Sequence, residues 1–406
     1  KVLISTLFFI SASSFFLLVD LSSVLRFSGV LILILLNCSV LIIAIKALKI
    51  IKTIHTRANL GLLVIDRSSF WVLILKIYNI MQMKTVDIHK IISKENVLNV
   101  ITKNYNSLYL KWLEHQLHWI NTTYSTFKDH EKYLIIVTIV KKTLNLYYEK
   151  YIKYSYEEYY SKAQLQIESL NIIEISKILN LPKETVRRKV KELEELGVIK
   201  RIKKRIILDR NAFSYVQPVK QIPITSKYIS RIMKVLADEK LIEKAFSSEL
   251  IEKKIKENFT HIWLLFYSMQ IDMVVRWTSY FGDTASFHVW GTCITNQAYN
   301  LSRAKKIKYP TSLKIVNQNL SNLNGAAGLN AMTLSDLTGI PRATVIRKLN
   351  NLVKFKYLIM NDKKQYEAGG APEGGLANLK SFQLTQNEIW NNKAIFLTKI
   401  INYLII

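Results

Sequence analysis

The chain has 406 residues, enough for two or three domains with cores of their own, and it carries 57 Lys and Arg against 30 Asp and Glu. The resulting net charge of +27 favours a polyanionic partner, either nucleic acid or an anionic membrane, although an AT-rich genome would also enrich a protein in Lys. Two cysteines, Cys38 and Cys293, exclude a disulfide scaffold and a cysteine zinc finger. Both lie in apolar surroundings, which predicts buried thiols in a reducing, intracellular protein.

Two uncharged stretches of membrane-spanning length lie at the front of the chain, at residues 2–19 and 27–45. Each approaches the roughly 20 apolar residues that cross a hydrocarbon core. We predict that residues 1–58 form a transmembrane helical hairpin, and the basic residues after the second stretch place that end in the cytoplasm. A cleaved signal peptide is the alternative for the first stretch.

A second alternative removes the hairpin altogether. The stretch MKTVDIHKIISKEN, which begins at Met83, is typical of the start of a soluble protein, so residues 1–82 would then not belong to the native chain. The chain begins at Lys1 rather than Met, as a chain with an incomplete N-terminus would. Later apolar runs at residues 133–140 and 262–271 are too short to span a bilayer, and we assign them to core helices.

The rest of the chain has a mostly α-helical pattern. Residues 84–165 contain no Gly or Pro and repeat apolar and aromatic residues at helical spacing, and Pro218 and Pro223 precede a second helical region. The glycine-rich EAGGAPEGGLA near the end is typical of a flexible loop. We divide the chain into a transmembrane hairpin at 1–58, a helical region at 59–165, a first module at 166–210, a second helical region at 211–320, a second module at 321–368, and a loop with a C-terminal helix at 369–406.

The two modules share a repeated sequence. NIIEISKILNLPKETVRRKVKELEELGVIK, from Asn171, aligns without a gap with NAMTLSDLTGIPRATVIRKLNNLVKFKYLI, from Asn330. The identical pairs are Asn171/Asn330, Ser176/Ser335, Pro182/Pro341, Thr185/Thr344, Val186/Val345, Arg188/Arg347, Lys189/Lys348 and Leu193/Leu352.

These positions predict a short helix, a tight turn and a longer helix in each copy, which is a helix-turn-helix. Asn180 and its partner Gly339 tolerate the left-handed conformation that a tight turn requires. Pro182 suits the first turn of the longer helix. In the second copy, Thr333 and Asp336 predict a capping box at the start of the short helix.

Apolar residues at helical spacing predict which side of each helix faces the core. Ile175, Ile178 and Leu179 form one face of the short helix, and Val186, Val190 and Leu193 form one face of the longer helix. After a left-handed stop at Gly197, VIKRIKKRIIL predicts a basic β-hairpin that turns at Lys203 and Lys204. The second copy offers a less charged hairpin that turns at Asn361 and Asp362.

The opposite side of each longer helix is polar. At about 100° per residue the opposite face of the first copy holds Glu184, Arg188, Lys191 and Glu192, with Arg187 at one flank and Thr185 at the other. The second copy exposes Arg342, Ala343, Thr344, Ile346, Arg347 and Asn350. Arg, Lys, Asn and Thr are the residue types that hydrogen-bond base edges and phosphates.

Each unit resembles the winged helix-turn-helix of bacterial transcription regulators. LPKETVRRKVKELEELGVIKR is similar to the Lrp and MarR families, and TGIPRATVIRKLNNLVKFKYLI is similar to the IclR-type reader head. The resemblance covers about 40 residues of each copy and implies a longer helix in the major groove beside a hairpin on the phosphate backbone. The fold class predicted for the whole chain is therefore mostly α, with tandem winged helix-turn-helix modules joined by helical regions.

The predicted DNA-binding residues follow from this assignment. They are Lys183, Thr185, Arg187, Arg188 and Lys191 on the first longer helix, Arg201, Lys203, Lys204 and Arg205 on the first hairpin, and Arg342, Thr344 and Arg347 on the second longer helix.

The predicted function is that of a DNA-binding transcription regulator, not an enzyme, with double-stranded DNA as its partner. We place it in the cytoplasm, tethered to the inner membrane if the hairpin forms, and a homodimer is a further hypothesis. No small-molecule effector is identifiable. A replication initiator with tandem winged helices and a winged-helix scaffold that binds proteins are the alternatives, and the more apolar second copy is the better candidate for protein contact.

Other residue clusters carry weaker signals. His115 and His118, with Glu114 beside them, lie one helical turn apart, but no third ligand accompanies them, so we predict a structural role and no metal site. Asp283, Ser286 and His288 are residue types of a hydrolase triad without a nucleophile elbow. No phosphate-binding or dinucleotide motif is present, and no cofactor is predicted. Most Trp and Tyr of residues 105–160 and 259–300 are expected in the core.

Overall fold

Helices make up most of the structure, a computed structural model that describes residues 91–162, 165–209, 211–303, 328–368 and 380–405. These residues lie in one compact unit that runs from Val86 to Ile406. The mostly α fold class is therefore confirmed. The hairpin predicted at residues 1–58, the start proposed at Met83 and the thiol of Cys38 lie outside the described residues. Among the helices that are described, none is long and apolar enough to cross a membrane.

The first half of this compact body contains eight helices and one β-hairpin among its described residues. In chain order they are α1 (Lys94–Lys103), α2 (Tyr105–Ser125), α3 (His130–Glu149), α4 (Tyr156–Ser161), α5 (Ile172–Leu179), α6 (Lys183–Glu195), β1 (Ile199–Ile202), β2 (Arg205–Leu208), α7 (Ala212–Tyr215) and α8 (Gln221–Asp238).

The second half follows nearly the same order. Its described elements are α9 (Ser248–Glu257), α10 (Phe259–Phe281), α11 (Thr284–Arg303), α12 (Ala331–Thr338), α13 (Arg342–Lys354), β3 (Leu358–Met360), β4 (Tyr366–Ala368) and α14 (Lys380–Ile405). Lengths also match, since α1 and α9 each have 10 residues, α3 and α11 each have 20, and α6 and α13 each have 13.

The same local devices set the helix boundaries in both halves. The hydroxyl of Ser93 caps α1 by accepting a hydrogen bond from a backbone N–H, and that of Ser247 caps α9 in the same way. Asn104 ends α1 and Asn258 ends α9, and each side-chain amide donates to a backbone carbonyl four residues earlier, at 3.2 and 3.1 Å. In both pairs the residue of the second half lies 154 positions after its counterpart.

This constant offset reveals a duplication larger than the repeat that begins at Asn171. Residues 93–149 align without a gap with residues 247–303, and ten positions are identical. The identical pairs are Ser93/Ser247, Glu95/Glu249, Ile101/Ile255, Asn104/Asn258, Leu110/Leu264, Gln116/Gln270, Ser125/Ser279, Phe127/Phe281, Asp129/Asp283 and Thr138/Thr292. The helical region before each module is therefore part of the repeated unit.

The two halves exchange their contacts reciprocally. Helix α3 of the first half packs on α10 of the second, and α11 of the second packs on α2 of the first. In the same way α1 packs on α14, and α9 packs on α8. Contacts that are mutual rather than head-to-tail are the mark of an approximate two-fold axis. One chain therefore has the architecture of a symmetric dimer.

The core between these helices is aromatic, as the sequence predicts. Trp119, Trp263, Phe266 and Tyr267 are buried, and Trp263 stacks on Phe266 with ring centroids 4.3 Å apart. The apolar runs at 133–140 and 262–271 lie within α3 and α10, where most of their residues are buried, so their assignment to core helices is confirmed. Cys293 is a buried free thiol, also as predicted.

Candidate nucleic-acid interface

Each half carries one helix–turn–helix–hairpin unit, which we call unit 1 (α5, α6, β1 and β2) and unit 2 (α12, α13, β3 and β4). Asn171 caps the short helix of unit 1, with Glu174 completing a capping box, and Asn330 caps that of unit 2. The capping box predicted from Thr333 and Asp336 is wrong. Helix α12 already begins at Ala331, and both the backbone N–H and the hydroxyl of Thr333 donate to the side-chain oxygen (Oδ1) of Asn330, at 2.9 and 3.2 Å.

The turn between the two helices is the same in both units. Asn180 and Gly339 adopt the left-handed conformation, with φ of 51° and 70°, as predicted. A serine on each short helix closes the turn. The hydroxyl of Ser176 donates to the backbone carbonyl of Leu181 at 2.6 Å, and the hydroxyl of Ser335 donates to that of Ile340 at 2.7 Å.

The longer helices bury the predicted stripe. Val186, Val190 and Leu193 are fully buried in unit 1, and their counterparts Val345, Leu349 and Leu352 are buried in unit 2. The predicted short-helix face is confirmed at Ile175 and Leu179 only, because Ile178 remains exposed. Because these stripes are buried in their own halves, the opposite faces of α6 and α13 point outward.

A hairpin follows each longer helix. Strands β1 and β2 pair antiparallel around Lys203 and Lys204, after the left-handed Gly197, as predicted. In unit 2 the side-chain oxygen of Asn361 accepts hydrogen bonds from the backbone N–H groups of Lys363 and Gln365, both at 3.0 Å, which confirms that turn. The residue before each capping asparagine adds a third, one-residue strand, through the bridges Leu170–Ile206 and Leu329–Tyr366.

Each unit is attached to its half by an equivalent ion pair. The ammonium group of Lys189 bonds the carboxylate of Asp129, and that of Lys348 bonds Asp283 with Nζ and Oδ2 2.7 Å apart. Each aspartate also caps the long helix behind it, by accepting a backbone N–H from Lys132 in α3 or from Ser286 in α11.

Burial by itself would raise the pKa of both carboxyl groups. The hydrogen bonds from the two lysines, together with the other hydrogen bonds to each carboxylate and the attraction of the lysine charge, outweigh this effect and hold the pKa of Asp129 and of Asp283 below its usual value. Of the repeated Arg-Lys pair, the lysine therefore points into the fold and only the arginine points out.

The outward side chains of α6 meet carboxylates of the same helix. Arg187 bonds Glu184 at 2.6 Å, Arg188 lies 3.9 Å from Glu192, and Lys191 lies 3.9 Å from Glu195. All three cations remain mostly exposed, so these pairs are weak and are broken at little cost. Lys183 is exposed at the first turn of α6, and Thr185 is half-buried.

The cations predicted on the first hairpin divide into two groups. Lys203 and Lys204 are exposed at its tip. Arg201 instead bonds Glu194 at 3.0 Å, and Arg205 bonds Glu174 at 2.8 Å and the backbone carbonyl of Ser169. These two arginines hold the hairpin against the helices. Of the four cations predicted on this hairpin, the two at the tip are therefore the ones available to contact a partner.

The outward face of α13 is less screened than that of α6. Its sequence RATVIRKLNNLVK contains no acidic residue, whereas KETVRRKVKELEE contains four. Arg342 and Arg347 are exposed, and Thr344 is half-buried like Thr185. From its sequence the more apolar second copy is the better candidate for protein contact, yet its longer helix carries outward cations without any acidic residue.

Two exposed cations of unit 2 were not among the predicted DNA-binding residues. Lys363 and Lys364 are exposed at the tip of the second hairpin, where unit 1 has Lys203 and Lys204. Lys364 and Lys203 both have positive φ, of 53° and 57°. Both hairpins contain a Lys-Lys dipeptide, which could have predicted these two cations from the sequence. The longer turn of unit 2 shifts its dipeptide out of register in the gapless alignment.

The other clusters noted in the sequence have structural partners. His115 hydrogen-bonds Thr225 at 3.0 Å, and His118 bonds Gln221 at 2.6 Å, so both link α2 to α8. The hydroxyl of Ser286 donates to Asp283 at 2.9 Å. The ring of His288 instead bonds that of His130 at 3.1 Å and the side-chain oxygen of Asn121 at 2.6 Å.

No family model matches the chain, and no curated protein or solved structure matches it either.

Proposed function

We propose that the chain is a DNA-binding transcription regulator and that units 1 and 2 are winged helix-turn-helix modules that read duplex DNA. In this proposal α6 and α13 enter the major groove, and the hairpin tips lie along the phosphate backbone. The net charge of +27 supports a polyanionic partner. The proposal places the protein in the cytoplasm, and a membrane anchor at residues 1–58 remains a separate prediction.

One observation carries the proposal. Most of the eight identical pairs of the two units have a role in folding: they cap a helix, close the turn, fill the core or anchor the unit to its half. Arg188 and Arg347 are the charged pair that recurs on the outward face, and neither side chain is needed to hold its helix in place. An outward arginine retained in both copies, at the centre of a reading helix, favours a bidentate contact to guanine.

The proposal is tested by replacing outward cations in each unit. We expect Arg188→Ala with Lys191→Ala to weaken specific DNA binding by one to several kcal/mol, since a good base contact is worth about 1–3 kcal/mol. Arg342→Ala with Arg347→Ala is expected to weaken it at least as much, because no carboxylate screens those arginines on α13. The measurement is a gel-shift titration of the full chain at physiological salt.

The matched control is Lys227→Ala with Lys234→Ala, which removes the same charge from exposed positions of α8. Its affinity is expected to change little. Equal losses in the control and in the test variants would show that binding follows net charge alone and would remove the reading role of α6 and α13. Affinity should also fall steeply with salt, because contacts to phosphates release counterions.

Two other functions predict different results. A replication initiator with the same modules would bind iterated repeats at an origin, whereas a transcription regulator would footprint upstream of genes. At unit 1, but not at unit 2, one observation favours a protein-binding scaffold over a DNA reader: the carboxylates on α6 offset the positive charges of that helix. A scaffold would show little affinity for DNA at any salt concentration.

A further inference from the structure

The two candidate reading helices are anchored at the same end of the helical bundle. Asp129, which holds unit 1, starts α3, and Asp283, which holds unit 2, starts α11. These two helix starts lie beside each other, because the ring nitrogens of His130 and His288 are 3.1 Å apart. Units 1 and 2 therefore flank the approximate two-fold axis rather than lie at opposite ends of the molecule.

The turn of each unit also reaches across to the other half. The amide of Asn180 in unit 1 donates to the hydroxyl of Ser279, near the end of α10, at 3.0 Å. Its counterpart in unit 2, Gly339, faces Tyr124 and Lys128, near the end of α2, and a Cβ built there would lie 3.9 Å from both. Since α2 and α10 are themselves counterparts, the two crossing contacts are related by the same axis.

This arrangement resembles that of a dimeric regulator with one reading helix on each subunit. Duplex DNA has local two-fold axes perpendicular to its length, so a two-fold protein matches a site whose halves are inverted repeats. A tandem arrangement without the axis would match direct repeats instead. The axis here lies within a single chain.

The two halves of the site would share one base pair and differ at others. Arg188 and Arg347 occupy equivalent outward positions, whereas Arg187 is replaced by Ile346 and Lys191 by Asn350. An arginine reads guanine, and an asparagine reads adenine. The site would therefore be an imperfect palindrome.

We propose that one copy of this chain binds an inverted-repeat DNA site, with unit 1 on one half and unit 2 on the other. The proposal rests on the DNA-reading function argued above and adds the symmetry and stoichiometry of the site. The shared base pair is a G·C pair contacted by Arg188 in one half and by Arg347 in the other.

The test starts from duplexes selected by the full chain out of a randomised pool of about 40 base pairs, long enough for two half-sites one helical turn apart. Gel shifts then compare four probes: the selected site, the same halves as a direct repeat, a single half-site, and the selected site with about five base pairs inserted between its halves. Mass photometry of the complex measures the number of chains on the selected site.

The expected result is one chain per selected inverted repeat. The other three probes should bind about 100-fold more weakly or worse, since only one unit can engage each of them. Arg188→Ala should abolish the preference for G·C in one half of the site, and Arg347→Ala should abolish it in the other half only.

Each contrary outcome has a definite meaning. Binding to a single half-site or to a direct repeat as tight as binding to the selected site, or two chains on one inverted repeat, would overturn the inference and leave the reading function standing. A chain that selects no sequence from the pool, and that shows little affinity for duplex DNA at any salt concentration, would overturn both.

Discussion

At the scale of single residues, the repeated Arg-Lys pair has two different roles. The sequence presents Arg188-Lys189 and Arg347-Lys348 as two basic pairs suited to DNA. In the structure the lysines are mostly buried, with 13% and 14% of their side chains exposed, and each bonds an aspartate that caps another helix. A charge in such surroundings contributes stability only while its partner is present.

Asp129→Asn and Asp283→Asn test this role directly. Asparagine caps a helix as well as aspartate does, so each change removes the charge and keeps the cap. We expect each variant to lose about 1.5–3 kcal/mol of unfolding free energy in urea titrations, the usual value of a hydrogen bond to a charged group.

The matched control is Glu239→Gln. Its ion pair with Lys103 is more exposed, so its loss should cost less than about 1 kcal/mol. Aspartate variants that stay within the range of this control would show that the two lysines do not anchor their units.

At the scale of elements, local sequence signals set the helix ends, but the two longer helices end at different residue types. Gly197 ends α6 with φ of 70°, and at the equivalent place after α13 stands Lys356, with φ of 58°. A side chain in this left-handed conformation costs about 1–2 kcal/mol relative to the favoured backbone regions, and glycine avoids that cost. At this position unit 2 therefore carries a backbone strain that unit 1 lacks.

A reciprocal pair of substitutions measures this strain. Gly197→Ala should destabilise the protein by about 1 kcal/mol, because no atom lies within 4 Å of the added Cβ and only the backbone conformation is penalised. Lys356→Gly should stabilise it by up to about 1 kcal/mol, less the entropy that glycine adds to the unfolded chain. Thermal unfolding of both variants is the measurement, and shifts of the same sign in the two would refute the interpretation.

At the scale of the whole molecule, two halves meet through a buried polar contact. The ring of His130 bonds that of His288 at 3.1 Å, and His288 in turn bonds the side-chain oxygen of Asn121 at 2.6 Å. Burial lowers the pKa of His130 to about 4, against the opposing pull of Asp129 and Asp283, and lowers that of His288 as well. Both histidines are therefore neutral in the folded protein at neutral pH.

This contact predicts that acid weakens the fold. The unfolded chain takes up a proton at His130 near pH 6.5, whereas the folded chain does so only near pH 4, so the unfolding free energy falls as pH is lowered between these values. The loss attributable to His130 is on the order of 3 kcal/mol at pH 4. Urea titrations from pH 7 to pH 4 measure it.

His130→Gln supplies the comparison, since its side chain hydrogen-bonds but does not titrate. The variant should lose less stability on acidification than the native chain. The test is the difference in stability loss between the two proteins. Burial raises the pKa of Glu131, so protonation of this carboxylate stabilises the folded chain in part of the same pH range and opposes the effect of His130 in both proteins. Parallel pH profiles would show that His130 is not the titrating group.

The sequence by itself determined the two helix–turn–helix–hairpin units. The stripe of Val186, Val190 and Leu193, the left-handed turns and the hairpin tips all depend on residues a few positions apart, and such short-range signals are readable in one dimension. The same signals failed at α12, where a stronger cap at Asn330 precedes the predicted one by three residues.

Only the tertiary structure decided which charges face outward and how the halves are related. Lys189 and Lys348 find their partners 60 and 65 residues away, and His130 finds His288 158 residues away. The offset of 154 residues between the two helical regions was present in the sequence, but the identical pairs at that offset are sparse because a buried position requires a shape rather than a particular residue. Reciprocal packing, which gives one chain the symmetry of a dimer, exists only once both halves have folded against each other.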